Sequence, residues 1–164
     1  MRVEQLMTRE VQVCRAEDTL SRAAQLMWEH DCGCVPVIGT NGDGRLVGMI
    51  TDRDIAMAAY TQGWPLSAIP VSTAMEKEVI ACHADDVISR AEALMRERKV
   101  RRLPVLDQDE RLVGILSLND IVLEAQREAG SGRGAEVNAE ELTETLAAVC
   151  RPRRDLIYAD SRVV

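Results

Sequence analysis

The stretch GMITDRD, Gly48 to Asp54, returns later in the chain as GILSLND, Gly114 to Asp120. Each reads glycine, two apolar residues, Thr or Ser, two variable residues and Asp. The apolar pair ends a strand, and the hydroxyl residue with a carboxylate three positions on begins a helix. In that arrangement the hydroxyl accepts from a free backbone N–H and the carboxylate favours the positive helix end. The glycine permits a tight exit from the strand. Two such junctions in 164 residues raise the question of whether the sequence around them is duplicated as well.

It is. Val3, Met7, Val11, Cys14, Asp18, Ser21, Arg22, Ala23, Leu26 and Met27 recur at a constant offset of 68, from Val71 to Met95. Pro36-Val37 matches Pro104-Val105 at the same offset. After a turn two residues shorter, Arg45–Gly48 matches Arg111–Gly114, and the repeat runs to about residue 128. Each copy predicts a short strand (11–14; 79–82) and then a helix starting near Asp18 or Asp86. Leu20, Ala23, Ala24 and Met27 form that helix's apolar face in the first copy, and Ile88, Ala91 and Met95 in the second. A buried strand follows (34–38; 103–106), then a polar turn, GTNGDG or DQDE, and another strand (45–50; 111–116). The quoted heptapeptide opens the last helix of each copy.

A unit of about 60 residues cannot bury both faces of its sheet alone, so the two copies are expected to pack together. The expected fold is α+β: tandem β-α-β-β-α repeats related by pseudo-two-fold symmetry, plus a C-terminal helix. Residues 1–66 form the first repeat and 67–129 the second. Residues 130–137, with Gly130-Ser131-Gly132-Arg133-Gly134, read as a flexible linker, and 138–164 as a helix and tail. Asn138 with Glu141 marks the start of that helix. Leu142, Leu146 and Val149 give it an apolar stripe that needs a surface, on this module or on another chain.

Composition narrows the function classes. Hydrophobic residues make up 46% of the chain, with two Trp, two Tyr and no Phe, so the core must be aliphatic. A net charge of −7 argues against nonspecific binding to nucleic acid or an anionic membrane. No apolar run approaches the roughly 18 residues that span a bilayer. The opening MRVEQLMTREVQV mixes charged and apolar residues, which predicts no cleavable leader. Five cysteines without framework spacing fit reduced thiols in a cytoplasm. There is no Gly-x-Ser-x-Gly elbow, no P-loop and no paired nucleophile system, so neither an enzyme nor a catalytic cofactor is expected.

Duplicated β-α-β-β-α units carrying VPV or LPV and the glycine–apolar–apolar–Thr/Ser–x–x–Asp heptapeptide resemble the cystathionine β-synthase (CBS) domain pair. The resemblance covers both repeats. It implies a regulatory module that binds adenosine-containing ligands (AMP, ADP, ATP or S-adenosylmethionine) in clefts between the repeats. It also implies a flat homodimer that passes its state to an effector protein. In such modules the Asp of the motif binds ribose, and adenine lies between apolar residues of the opposite repeat.

On that resemblance the favoured cleft combines Thr51 and Asp54 with Val79, Ile80, Val100, Arg102 and Pro104. Arg102 matches the position whose side chain reaches phosphate, where arginine binds bidentately. The rest of the basic run RERKVRR (Arg96, Arg98, Lys99) reads as a solvated helix end. The second cleft combines Ser117 and Asp120 with Thr8, Val11, Gln12, Cys32 and Cys34. Cys34 there occupies the position equivalent to Arg102, so this cleft lacks the phosphate-seeking cation and is expected to be empty or to take adenosine with few phosphates.

Two other readings stand beside this one. Both heptapeptides serve equally well as helix caps alone, in a ligand-free module built for dimerisation. EHDCGC gathers His30, Cys32 and Cys34, which raises metal or thiol sensing. Structural zinc usually takes four ligands, though, and Cys32 and Cys34 also read as small apolar residues at a strand entry, so no metal site is expected.

Overall fold

The structure is a computed structural model and describes residues 1–131 and 136–151. Two three-stranded sheets form its frame. The first contains β1 (Cys14–Arg15), β2 (Cys34–Ile38) and β3 (Leu46–Thr51). The second contains β4 (Cys82–His83), β5 (Arg102–Leu106) and β6 (Leu112–Ser117) in the same order. In each sheet the first strand runs parallel to the central one and the third antiparallel to it, with a register shift after Val37 and after Val105. Helices α1 (Leu20–Glu29) and α2 (Asp52–Gln62) complete the first repeat. Helices α3 (Ile88–Arg98) and α4 (Leu118–Ser131) complete the second, and α5 (Ala139–Cys150) follows. This is the expected α+β tandem arrangement.

Several boundaries differ from expectation for physical reasons. The opening strands have two residues rather than four. Cys14 pairs with Val37 and Cys82 with Val105, so one step back the partner would be Pro36 or Pro104. Proline offers no N–H, and the ladder starts only beyond it. Asp18 and Asp86 do not cap the next helices. Their Oδ2 atoms accept from the backbone N–H groups of Arg15 (2.7 Å) and His83 (2.9 Å), closing a turn, and Thr19 caps α1. Gly130 and Ser131, expected in the linker, are the last residues of α4. Residues 132–135 of that expected linker, and the tail beyond 151, lie outside the described residues.

The two halves are woven into each other. Val3 and Met7 belong to the core built from α3, β5 and α4, while Ile69 and Val71 belong to the core built from α1, β2 and α2. Backbone bonds fix each exchange: Val3 N donates to Asp86 O (2.9 Å), and Val71 N donates to Asp18 O (2.7 Å). The segment after each exchange then crosses the other repeat's third strand, where Thr8 pairs with Ile115 and Glu76 with Met49.

That crossing explains the heptapeptide glycines. A Cβ built on Gly48 would lie 2.7 Å from Met75 Sδ, and one on Gly114 would lie 2.5 Å from Met7 Sδ. Each would also meet a backbone oxygen at 3.0 Å, that of Glu76 or Thr8. Glycine lets the exchanged segment touch the strand.

Helix α5 finds its surface on its own chain. It packs against α3 and α4 and buries Leu142, Thr145 and Val149. Asn138 Oδ1 caps it, accepting from the N–H groups of Glu140 (2.9 Å) and Glu141 (3.4 Å). Arg96 pairs with Glu144 at 3.3 Å. Glu128 accepts from the N–H groups of Glu136 and Val137, both at 3.0 Å, and the N-terminal ammonium pairs with Glu136.

Candidate functional site

The turn from β3 into α2 is a reciprocal cap. Asp54 N donates to Thr51 Oγ1 (3.2 Å), while Thr51 N (2.9 Å) and Thr51 Oγ1 (2.6 Å) both donate to Asp54 Oδ2. The two bonds to the carboxylate use the same oxygen, Oδ2; Oδ1 has no partner among the described residues. The turn from β6 into α4 repeats this arrangement: Ser117 N (2.8 Å) and Oγ (2.7 Å) donate to Asp120 Oδ2, and Asp120 N donates to Ser117 Oγ (3.2 Å). The cap and a ligand contact are therefore compatible. Folding occupies one oxygen of each Asp, and the other, an acceptor with two lone pairs, is left over at a helix N-terminus.

Thr51, Asp54, Val79, Ile80, Val100, Arg102 and Pro104 all line one cleft of about 650 Å³. Its size suits a small-molecule ligand. The two repeats contribute differently. The cap and Asp52–Asp54 come from the first, the half-buried Val79 and Ile80 from the exchanged segment of the second, and Val100–Pro104 from the entry to β5.

Arg102 reaches across that gap: a Cβ built on Gly33 would lie 3.7 Å from its Nη2 and 3.3 Å from Asp52 Oδ2. A methyl at 33 would touch the guanidinium at ordinary contact distance and press on the Asp52 carboxylate. Among the described residues the Arg102 side chain has no hydrogen-bond or ion-pair partner. The basic run around it divides, because Arg96 pairs with Glu144 and Arg98 with Glu97, whereas Lys99 and Arg101 line the cleft.

One expected assignment needs correcting. Cys34, assigned to the second cleft, lines the Asp54–Arg102 cleft, because β2 pairs it with Thr51. Burial pushes its thiol up to about 11, with Arg102 pulling the other way, so it is protonated at neutral pH. For the remaining second-cleft residues, Thr8 is bridged to Ile115 near the Ser117–Asp120 cap. Val11 is half-buried, Gln12 is exposed, and Cys32 packs against the first core. Cys14 and Cys82 are core residues, each donating to a proline carbonyl (Pro36 or Pro104) at 3.9 Å, and burial pushes both thiols up to about 12. Among the described residues no group of three or more His, Cys, Asp or Glu is placed to hold a metal ion.

Sequence reasoning missed Gly33, Met49, Glu76, Glu78 and the end of α5, did not assign the neighbours Asp52, Arg53 and Arg101 to the cleft, and read Lys99 as a solvated helix end although it lines the cleft. Glu76 was recoverable, since it is the repeat equivalent of Thr8. The glycine of CGC was the signal for Gly33. Val149, Cys150 and Arg151 had no signal, because no repeat equivalent exists for α5.

Two interwoven β-α-β-β-α halves with a cleft between a capped helix start of one and a strand entry of the other define a tandem-repeat module with an inter-repeat site. The chain belongs to the CBS domain family, whose model matches residues 3–60 and 71–126. Among curated proteins it is 35% identical over 130 residues to the CBS domain-containing protein YhcV of Bacillus subtilis (strain 168), covering 79% of this chain and 89% of that one. The homoserine O-acetyltransferase of Methanococcus vannielii is 29% identical, and the match spans 73% of this chain but only 24% of that enzyme.

Three solved structures place the fold. Hypoxic Response Protein I with two coordinated zinc ions is 33% identical, with a TM-score of 0.67 over 75% of this chain and 98% of that one. CBSX2 in complex with AMP is 26% identical, with a TM-score of 0.68 over 78% and 98%. The CBS domain pair of protein MJ0100, in complex with 5′-methylthioadenosine and S-adenosyl-L-methionine, is 24% identical, with a TM-score of 0.67 over 81% and 98%. Among the described residues no helix is long and apolar enough to cross a membrane.

Proposed function

We propose that this chain is a cytoplasmic regulatory module, not an enzyme. It binds an adenosine-containing ligand (AMP, ADP, ATP or S-adenosylmethionine) in the Asp54–Arg102 cleft and passes its state to a partner protein. The observation that carries this reading is the divided carboxylate of Asp54, with Oδ2 spent on the cap, in one cleft with the guanidinium of Arg102 from the other repeat; neither Oδ1 nor that guanidinium has a partner among the described residues. Oδ1 receives the ribose hydroxyls, Val79 and Ile80 flank the base, and Arg102 meets phosphate. The AMP complex of CBSX2, a structural neighbour, supports the ligand class. A ligand that touches both repeats shifts the module toward the arrangement it binds more tightly, by no more than its differential affinity.

A second site at Ser117 and Asp120, with Thr8, Val11, Gln12 and Cys32, has the same cap and takes a ligand with fewer phosphates, or none. The homodimer is part of the proposal. Trp28, Tyr60 and Trp64, three of the chain's four Trp and Tyr residues, are 89%, 83% and 66% exposed on or just beyond α1 and α2. Large aromatics exposed to that extent are residues that an interface between copies would cover. The same observation favours the competing reading, a dimerisation module with no ligand.

Calorimetric titration with AMP, ATP and S-adenosylmethionine decides between them, with Asp54→Ala and Arg102→Ala alongside. Asp54→Ala is expected to cost about 1 kcal/mol of stability as a lost cap. It is also expected to abolish saturable binding near one ligand per chain, and Arg102→Ala to weaken phosphate-bearing ligands most. No heat with any of the three, in folded protein free of co-purified nucleotide, would leave the dimerisation reading standing.

A further inference from the structure

The cleft has a wall that the family match does not reach. The matched residues end at 126, yet Val149, Cys150 and Arg151 line the cleft. They are carried there by α5, which side-chain contacts hold against the second repeat. Leu142 and Val149 are in the second core, Thr145 is fully buried against its neighbours, and Arg96 pairs with Glu144. These contacts set the last turn of α5 beside the Lys99–Arg102 entry to β5.

The electrostatics of that wall have a definite sign. The C-terminal end of a helix carries roughly half a negative charge and would repel a phosphate. Arg151, the C-cap, places a full positive charge at that end, has no partner among the described residues and lines the cleft. The cleft then holds Arg53, Lys99, Arg101, Arg102 and Arg151 against Asp52, Asp54, Glu76 and Glu78, a local positive excess in a chain of net charge −7.

We infer that α5 is the third wall of the ligand cleft and that Arg151 is a ligand-contacting residue for the phosphates of an adenine nucleotide, so that nucleotide binding and the docking of α5 on α3 strengthen each other. This rests on the proposed function and adds the ligand's charge class and the element it controls. Two arginines on different walls suit a polyphosphate, and S-adenosylmethionine, with its sulfonium cation, is disfavoured. The coupling is reciprocal: whatever tightens nucleotide binding through α5 is matched by tighter docking of α5 when nucleotide is bound. The helix that moves between docked and undocked is then the output.

The test uses the full chain and ATP. Arg151→Ala is expected to weaken ATP binding about tenfold, the scale of one charge-assisted contact, and Arg151→Lys to recover part of that loss. Thr145→Asp, which sets a charge inside the α3–α5 contact far from the cap at Asp54, is expected to weaken ATP similarly. Amide exchange in 139–150 should slow when ATP is added to the unaltered chain. The inference falls if the chain binds ATP and Asp54→Ala abolishes that binding, yet Arg151→Ala keeps full affinity and α5 exchanges at the same rate with and without ATP. That result leaves the proposed function intact. Absence of binding by the unaltered chain to ATP, AMP and S-adenosylmethionine overturns both.

Discussion

Helices α1 and α3 hold the same place in their repeats, but their outer faces have different fates. At the position where α1 presents Trp28, 89% exposed, α3 has Arg96 paired with Glu144 of α5. Where α1 has Ala24, half-buried, α3 has Glu92, 2% exposed. At the strand entries the same offset sets Cys34 against Arg102. Duplication supplied two equivalent scaffolds, and a few substitutions plus one added helix made them chemically unequal. The shared positions are those the crossing and the caps require; the divergent ones face α5 or the cleft.

The shared positions can be broken most severely. Gly114→Ala and Gly48→Ala should each cost roughly 2–3 kcal/mol, because the new methyl meets a methionine sulfur and a carbonyl oxygen in a packed crossing. Gly114→Ala should be the worse, with the closer sulfur contact and a partner, Met7, that is only 8% exposed. Urea denaturation of the two variants measures this directly. Equal and negligible losses would mean that the exchanged segments are not seated on the strands.

How much of this was legible depends on whether the relevant signal was local. The strand Cys34–Ile38, the Asn138 cap and both heptapeptide turns follow from residue types within one turn of each other, and the sequence places them correctly. The repeat offset carried that accuracy to the second half, and all seven residues expected in the favoured cleft line it. The exchange of leading segments was not legible, because an offset reveals that two stretches are alike and not which partner each packs on. Helix α5 was placed in sequence but not in space: the stripe of Leu142, Leu146 and Val149 demands some apolar surface without naming it. The length of β1 failed for a simpler reason, since its limit is set by Pro36 on another strand.

Glu92 sharpens the contrast between α1 and α3. Its Oε1 has no hydrogen-bond partner among the described residues, and its carboxyl is pushed up to about 6 by burial and by Glu141 of α5, with Arg96 opposing. The folded state therefore holds its proton more tightly than the unfolded chain, whose carboxyl titrates near 4.5. Stability from this group is fully present below about 4.5, declines as pH rises toward 6, and is lost above that. The stability difference between Glu92→Gln and the unaltered chain should thus change by on the order of 2 kcal/mol in favour of the variant between pH 4 and pH 7.5. Ala24→Gln on α1 should produce no such pH dependence. A flat difference for Glu92→Gln would mean that α5 does not cover this face.

The smallest expected effect lies in the turns before β3 and β6, where the repeats solve one backbone problem with different residues. Gly44 has φ +70° and its equivalent Glu110 φ +62°, both in the left-handed region that a side chain disfavours. A Cβ at Gly44 would meet only Arg111 Cβ, at 4.0 Å, so Gly44→Ala isolates the backbone term and should cost about 1 kcal/mol. Glu110→Gly should return a smaller amount, about 0.5 kcal/mol. It relieves the same strain but frees the unfolded chain and gives up the exposed pair with His83 at 3.2 Å. Thermal denaturation of both variants resolves the order. Opposite signs would show that the two turns share one conformation with only the residue exchanged; a gain from Gly44→Ala would show that the first turn relaxes out of the left-handed region, and that the repeats diverge here in backbone as well as in sequence.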